Sequence, residues 1–203
     1  MTRLLSIFWL GLLCIIIGLT HWSPPAFAKA DPLVWRKQII YLLIPDRFAN
    51  GNPDNDHAVD IDCPYADWNR MFHGGDFAGL KQHVDYLKDL GVTTVWSTPI
   101  YEQVPEPVAG VGCGFHGYWP NYRDPYTGPI EPRLGTDEEF TDLLQTLDDH
   151  NIRYILDVVV NHTGFASDLL NQHPDWFRVD SDQCQQSDSG MIQCPSPFEV
   201  PDL

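Results

Sequence analysis

Three apolar runs of strand length, set about fifty residues apart, constrain the fold more than any other feature of the chain. QIIYLLI (38–44), GVTTVWSTPI (91–100) and IRYILDVVV (152–160) are apolar along most of their length, as strands of a parallel sheet covered on both faces should be. Between the first two, DFAGLKQHVDYLKDL (76–90) sets Phe77, Leu80, Val84 and Leu87 at helical spacing, and Gly91 stops the helix. Between the second and third, Thr136 and Glu139 form a capping box that opens a helix with Phe140, Leu143, Leu144 and Leu147 on one face. Strand, helix, strand, helix, strand makes an α/β protein. Doubly wound sheets and eight-stranded barrels share this order, and three strands do not separate them by periodicity. In both, ligands gather at the carboxyl ends of the strands, where this chain carries Pro45-Asp46-Arg47, Ser97-Thr98 and Asn161-His162. No G-x-G-x-x-G follows the first strand, so dinucleotide binding lacks its usual signature.

Residues 1–28 are set aside from the fold. Arg3 precedes an apolar stretch from Leu4 to Leu19, and Ala26-Phe27-Ala28 offers a small-residue cleavage site. The stretch is shorter than the ~20 residues of a spanning helix and runs into the polar, Pro-containing His21 to Pro25, so a secretory leader is expected rather than a membrane anchor. Cleavage after Ala28 leaves 175 residues with 11 Lys and Arg against 28 Asp and Glu, a net charge of −17. Such a surface repels nucleic acid and anionic membranes and suits a secreted or periplasmic protein with neutral or cationic ligands. Four cysteines remain, Cys63, Cys113, Cys184 and Cys194, an even number that suits an oxidising compartment. They allow three pairings. The close pair Cys184 and Cys194 is expected to close a local loop, leaving Cys63 with Cys113.

NGNPDNDHA (50–58) concentrates oxygen-bearing side chains. An EF-hand fails here, because the sixth position from Asn50 is Asn55 rather than Gly and the twelfth is Ile61 rather than Glu. A solvated Asx-rich turn is the plain alternative. FHGYW (115–119) groups aromatic rings and a histidine in the long loop after the second strand, and YILDVVVNHTGF (154–165) sets Asp157, Asn161 and His162 at the end of the third. Aromatic rings suit sugars, whose axial C–H faces are apolar inside a polar hydroxyl rim. An imidazole can bond a hydroxyl without bringing a permanent charge.

In this order and at these separations, IYLLIPDRFANGN, HGGDFAGL, FHGYW and LDVVVNH resemble the α-amylase family, glycoside hydrolase family 13. The resemblance implies a TIM (β/α)8 barrel of which the first three β/α units are present, over residues 29–162, followed by the start of an inserted subdomain B over 163–203. It implies sugar contacts from His116, Tyr118, Trp119 and His162, with Asp157 supporting the floor of the site. By resemblance to cyclodextrin glucanotransferases, Asn50, Asn52, Asn55, Asp56, the carbonyl of Gly74 and Asp76 would hold a calcium ion, with Asn50 standing where those enzymes usually carry aspartate. Asn161 and Asp202 resemble ligands of a second calcium site between barrel and subdomain B.

The resemblance further implies a retaining enzyme acting on α-1,4-linked glucans, by hydrolysis or by transfer to another sugar. Retaining chemistry needs two carboxyl groups about 5–5.5 Å apart. In the family these come from later strands, so the nucleophile and acid/base are expected beyond Leu203, and the 203-residue segment alone is expected to be inactive. The rival expectation is a truncated, non-catalytic product, at most a calcium-dependent glucan binder. With barrel edges open, the isolated segment is expected to be insoluble or degraded.

Overall fold

The computed structural model describes residues 32–59, 68–105, 112–122, 129–165 and 167–177. The expected leader, Cys63, Cys184, Cys194 and Asp202 lie outside them. The chain divides into two units, Met1–Lys37 and Gln38–Leu203. In the first, a single turn, α1 (Pro32–Trp35), is described.

In the second unit the three apolar runs supply three parallel strands, β1 (Ile40–Leu43), β2 (Thr94–Ser97) and β3 (Arg153–Leu156), side by side in chain order. The register aligns Tyr41 with Val95 and Tyr154, and Leu43 with Ser97 and Leu156. Each strand is shorter than its apolar run. The last ladder-like bond is Asp157 N–H to the Ser97 carbonyl at 3.2 Å; beyond it Val158 and Val160 are exposed.

A short turn, α2 (Pro45–Phe48), follows β1 directly. The helix expected over 76–90 is broken at His83 into α3 (Phe77–Gln82) and α4 (Val84–Asp89). His83 leaves helical geometry, its N–H bonding the Leu80 carbonyl three residues back and its ring Nδ1 meeting the Gly79 carbonyl at 2.8 Å. The carbonyls that would extend α3 are thereby satisfied locally. Between β2 and β3 lies α5 (Asp137–Asp149), opened by the expected capping box: Glu139 N–H donates to Thr136 Oγ1 at 3.2 Å and Thr136 N–H to Glu139 Oε2 at 2.8 Å. It closes at Asn151, whose φ of 59° suits a short polar side chain. After β3, α6 (Asp168–Gln172) and a 3-10 turn (Pro174–Trp176) complete the described elements.

One face of the sheet is well packed. Leu43 and Val95, with Tyr41, Tyr154 and Leu156, meet Phe77, Leu80, Val84 and Leu87 from α3 and α4 and Leu143 and Leu147 from α5. The opposite face is uncovered, as the first three units of a barrel without the others leave it. Ile40, Leu42 and Trp96 on the opposite face are 46%, 57% and 38% exposed. The helices all pack on one side, and the residues that alternate away from them meet no second layer among the described residues. This is the geometry of a partial barrel, helices outside and an interior-facing surface of apolar side chains.

Candidate functional site

The three strand ends open on one edge, and the loops there are tied together by buried polar groups. Asp46, just past β1, is 2% exposed. Its Oδ1 accepts from the N–H groups of His73 at 2.8 Å and Gly74 at 3.2 Å. Its Oδ2 lies 3.0 Å from Arg47 Nε, close enough for an ion pair though not aligned for a hydrogen bond. Burial pushes the Asp46 carboxyl upward against these partners.

FHGYW turns sharply at Gly117, whose φ is 87°; a Cβ there would stand 2.1 Å from the Pro99 carbonyl oxygen, so only glycine fits. Gln103, 2% exposed, clamps the turn. Its amide donates to the carbonyls of Tyr101 at 2.7 Å and Gly117 at 3.2 Å and accepts from Trp119 N–H at 2.8 Å. Glu131, itself buried beside Arg133, accepts from Gln103 N–H at 2.9 Å. Nothing in the sequence marked Gln103 or Glu131, because isolated polar residues in loops carry no spacing signal.

The clamped loop meets the end of β3. Tyr118 donates its hydroxyl to Asp157 Oδ2 at 2.7 Å. Burial, then the Asp157 hydrogen bond and charge, push Tyr118 up to about 12, so the phenol stays protonated and keeps donating. The residue is 38% exposed. His116 lies over Tyr118 with ring centroids 5.9 Å apart and planes 26° off parallel. Burial, aided by the charge of Arg47, brings His116 down to about 4.

The backbone of Tyr118 fixes the protons of both histidines. Its N–H donates to His116 Nδ1 at 3.0 Å, so the proton of neutral His116 sits on Nε2. Its carbonyl meets His162 Nε2 at 3.0 Å and can only accept, so the neutral form of His162 carries its proton on Nε2 and keeps Nδ1 as an acceptor. The cluster therefore presents one imidazole donor and one imidazole acceptor beside an exposed aromatic ring. The Nε2 hydrogen of His162 is engaged by the protein. Trp119 points inward: it is 9% exposed, packs with Val104 and Phe165, and sets its ring against His116 at 4.7 Å. It backs His116 rather than offering an open platform.

The Asx-rich loop folds against the start of α3. Asp76, 0% exposed, caps that helix with Oδ1 accepting from Gly79 N–H at 2.6 Å and Gly51 N–H at 3.0 Å. Its Oδ2 accepts from Asn52 N–H at 2.8 Å and the Asn55 amide at 3.3 Å. Asn50 donates its amide to both Asp56 oxygens, at 2.8 and 3.0 Å. A Cβ at Gly74 would stand 2.5 Å from both Asn50 Nδ2 and Asp56 Oδ1. The six residues thus come together as expected, and Asn55 Oδ1 is buried without a hydrogen-bond partner. Among the described residues no group of three or more His, Cys, Asp or Glu side chains is placed to hold a metal; this loop offers mainly amide and backbone oxygens. Asn161 is exposed at the end of β3. Cys113 is disulfide-bonded.

Residues 42–190 match the family model for the α-amylase catalytic domain. The chain is 39% identical over 167 residues to the beta/alpha-amylase of Paenibacillus polymyxa, covering 79% of this chain and 13% of that protein. The crystal structure of an Anoxybacillus α-amylase is similar with a TM-score of 0.67 and 35% identity, over 83% of this chain and 34% of that one. An α-amylase of Geobacillus thermoleovorans solved with acarbose is similar with a TM-score of 0.63 and 26% identity, over 83% of this chain and 34% of that one. These relatives are several-fold longer than the stretch they share with this chain. The chain belongs to the α-amylase family, and its fold is that of the first units of the family's (β/α)8 barrel.

Proposed function

We propose that this chain supplies the sugar-cradling part of an exported α-amylase-type glycoside hydrolase acting on α-1,4-glucans with retention. The observation that carries the reading is the cluster at the strand edge: an exposed Tyr118 ring held by Asp157, flanked by a donor on His116 and an acceptor on His162. An aromatic face with a donor and an acceptor at its rim suits a pyranose ring and its hydroxyls. The Geobacillus relative's complex with acarbose supports the same ligand class. Asp157 is the carboxylate bonded into the cluster, and it accepts from Tyr118. Asp157 serves as support, and retaining chemistry would draw its two carboxyl groups from outside the cluster.

The Asx loop fits a calcium ion. The unpartnered, buried Asn55 Oδ1, beside the closely packed Asn50, Asp56 and Gly74, is the feature a hard cation would use. Asn50, Asn52, Asn55, Asp56 and the Gly74 carbonyl would hold it, with Asp76 organising them from behind. The ion would cross-link the loop to the start of α3. Export rests on the leader-like residues 1–28; no helix among the described residues is long and apolar enough to cross a membrane.

The test is calorimetric titration of maltoheptaose into the protein expressed from its native gene, beside a reducing-sugar assay on starch. Saturable binding that weakens about tenfold or more in Tyr118→Ala supports the reading. Binding unchanged by this substitution refutes it. Binding without sugar release would favour the non-catalytic binder.

A further inference from the structure

We propose that Arg47 is a positioning residue of this site, carrying Phe115 and His116 into place beside Tyr118 from the end of β1. The proposal rests on reading the Tyr118 cluster as a glucan site.

Three segments converge on one guanidinium. Nη2 donates to the carbonyls of Asn69 at 3.0 Å and Met71 at 2.7 Å. Nε pairs with Asp46 Oδ2 at 3.0 Å. The guanidinium carbon lies 3.8 Å from the centroid of the Phe115 ring. Arginine alone has both the fork of N–H donors and the flat cationic face that these contacts use. Asp46 is pinned by the His73 and Gly74 amides, so Arg47 is anchored to a fixed carboxylate. The 69–71 segment also touches the aromatic loop directly, Cys113 N–H donating to the Arg70 carbonyl at 3.1 Å. From Arg47 the contacts continue to the ligand face: Phe115 sets its ring at 66° to His116 with centroids 5.1 Å apart, and His116 lies on Tyr118 and against Trp119.

Arg47 therefore acts in two separable ways. Its fork and face fix where the aromatic loop sits. Its charge opposes a second positive charge on His116 and so helps keep Nδ1 free to accept from Tyr118 N–H. Lysine would retain the charge but lose the fork and the face. Glutamine would lose the charge.

The experiment compares wild type, Arg47→Lys and Arg47→Gln, each expressed from the native gene with carbon-13-labelled histidine. It reads the His116 titration midpoint by NMR and the maltoheptaose Kd by calorimetry. Wild-type His116 is expected to titrate near 4. Arg47→Lys should leave that midpoint low while weakening the Kd about tenfold. Arg47→Gln should move the midpoint upward and weaken the Kd at least as much. A lysine variant that binds like wild type overturns the proposal, as does a glutamine variant with an unmoved His116. A lysine variant that does not fold also overturns it, by making Arg47 a folding residue. If wild type binds no maltoheptaose, the glucan reading fails by itself, and the His116 midpoint in Arg47→Gln still decides whether Arg47 governs that histidine.

Discussion

Asp76 and Asp157 are both aspartates at the loop-bearing edge of the sheet, but their surroundings differ. Asp76 is fully buried and accepts four N–H groups, three from backbone and one from Asn55, which uses up its oxygens. Asp157 is half-buried and bonds the hydroxyl of a Tyr118 whose ring stays exposed. A saturated carboxylate organises its own protein, whereas one that holds a partly exposed aromatic ring organises something for a visitor. The sharpest way to break this contrast is stability. Asp76→Ala strands buried donors and should cost about 4 kcal/mol, enough to unfold a marginal domain. Asp157→Ala loses one hydrogen bond at an accessible position and should cost about 1 kcal/mol. Urea unfolding of the two variants measures the difference, and equal losses would erase the distinction.

Ligand binding should rank the other way. Tyr118→Ala removes the exposed ring and should weaken maltoheptaose binding roughly tenfold to thirtyfold, about 1.4–2 kcal/mol. Tyr118→Phe keeps the ring and should lose only a few-fold, through a looser hold by Asp157. Calorimetry on both separates the ring from its tether. If the hydroxyl proves to matter more than the ring, Tyr118 is a hydrogen-bonding contact and not a stacking platform.

Protonation offers a finer probe of the same site. The folded His116 titrates near 4, below its ordinary 6.5, so between those values the unfolded chain takes up a proton that the folded chain refuses. Stability from this group is complete above 6.5, falls as pH drops through the window, and levels off below about 4. The pH profile of the melting temperature in wild type should therefore be steeper across this window than in His116→Gln. Parallel profiles would mean that His116 charges freely and that Tyr118 N–H does not depend on its neutral form.

Much of the fold could be read from periodicity because burial imposes it. Phe77, Leu80, Val84, Leu87, Leu143 and Leu147 were spaced for a helical face, and all six sit in the core. The capping box at Thr136 and Glu139 was equally visible, being a local motif whose partners lie three residues apart. The break at His83 left no trace, since a ring bonded to a carbonyl four residues back preserves the apolar spacing on both sides. The bare face of the sheet followed from the barrel resemblance and not from composition, since Leu42 and Trp96 have the composition of buried residues whatever covers them. At the site, the motifs marked His116, Tyr118, Asp157 and His162, which come together. They placed Arg47 at the ligand edge without its role, and marked neither Gln103 nor the inward turn of Trp119, because those roles depend on loops far apart in the chain.

The smallest expected effect tests whether the Asx loop, for all its internal bonds, still has room for an ion. Asn50 donates its amide to the two Asp56 oxygens, taking one lone pair on each. An aspartate in its place would set two carboxylates face to face, a repulsion that costs stability until a cation enters between them. Asn50→Asp should therefore melt below wild type in a chelator, by an amount corresponding to a few tenths to about 1 kcal/mol. In millimolar calcium it should recover and bind the ion about tenfold more tightly, close to 1.4 kcal/mol. Thermal melts with chelator and with calcium give both signs in one experiment. Only a cation site predicts the reversal: were the loop a self-contained turn, the variant would be weakened equally in the two solutions, because nothing would arrive to neutralise the added charge.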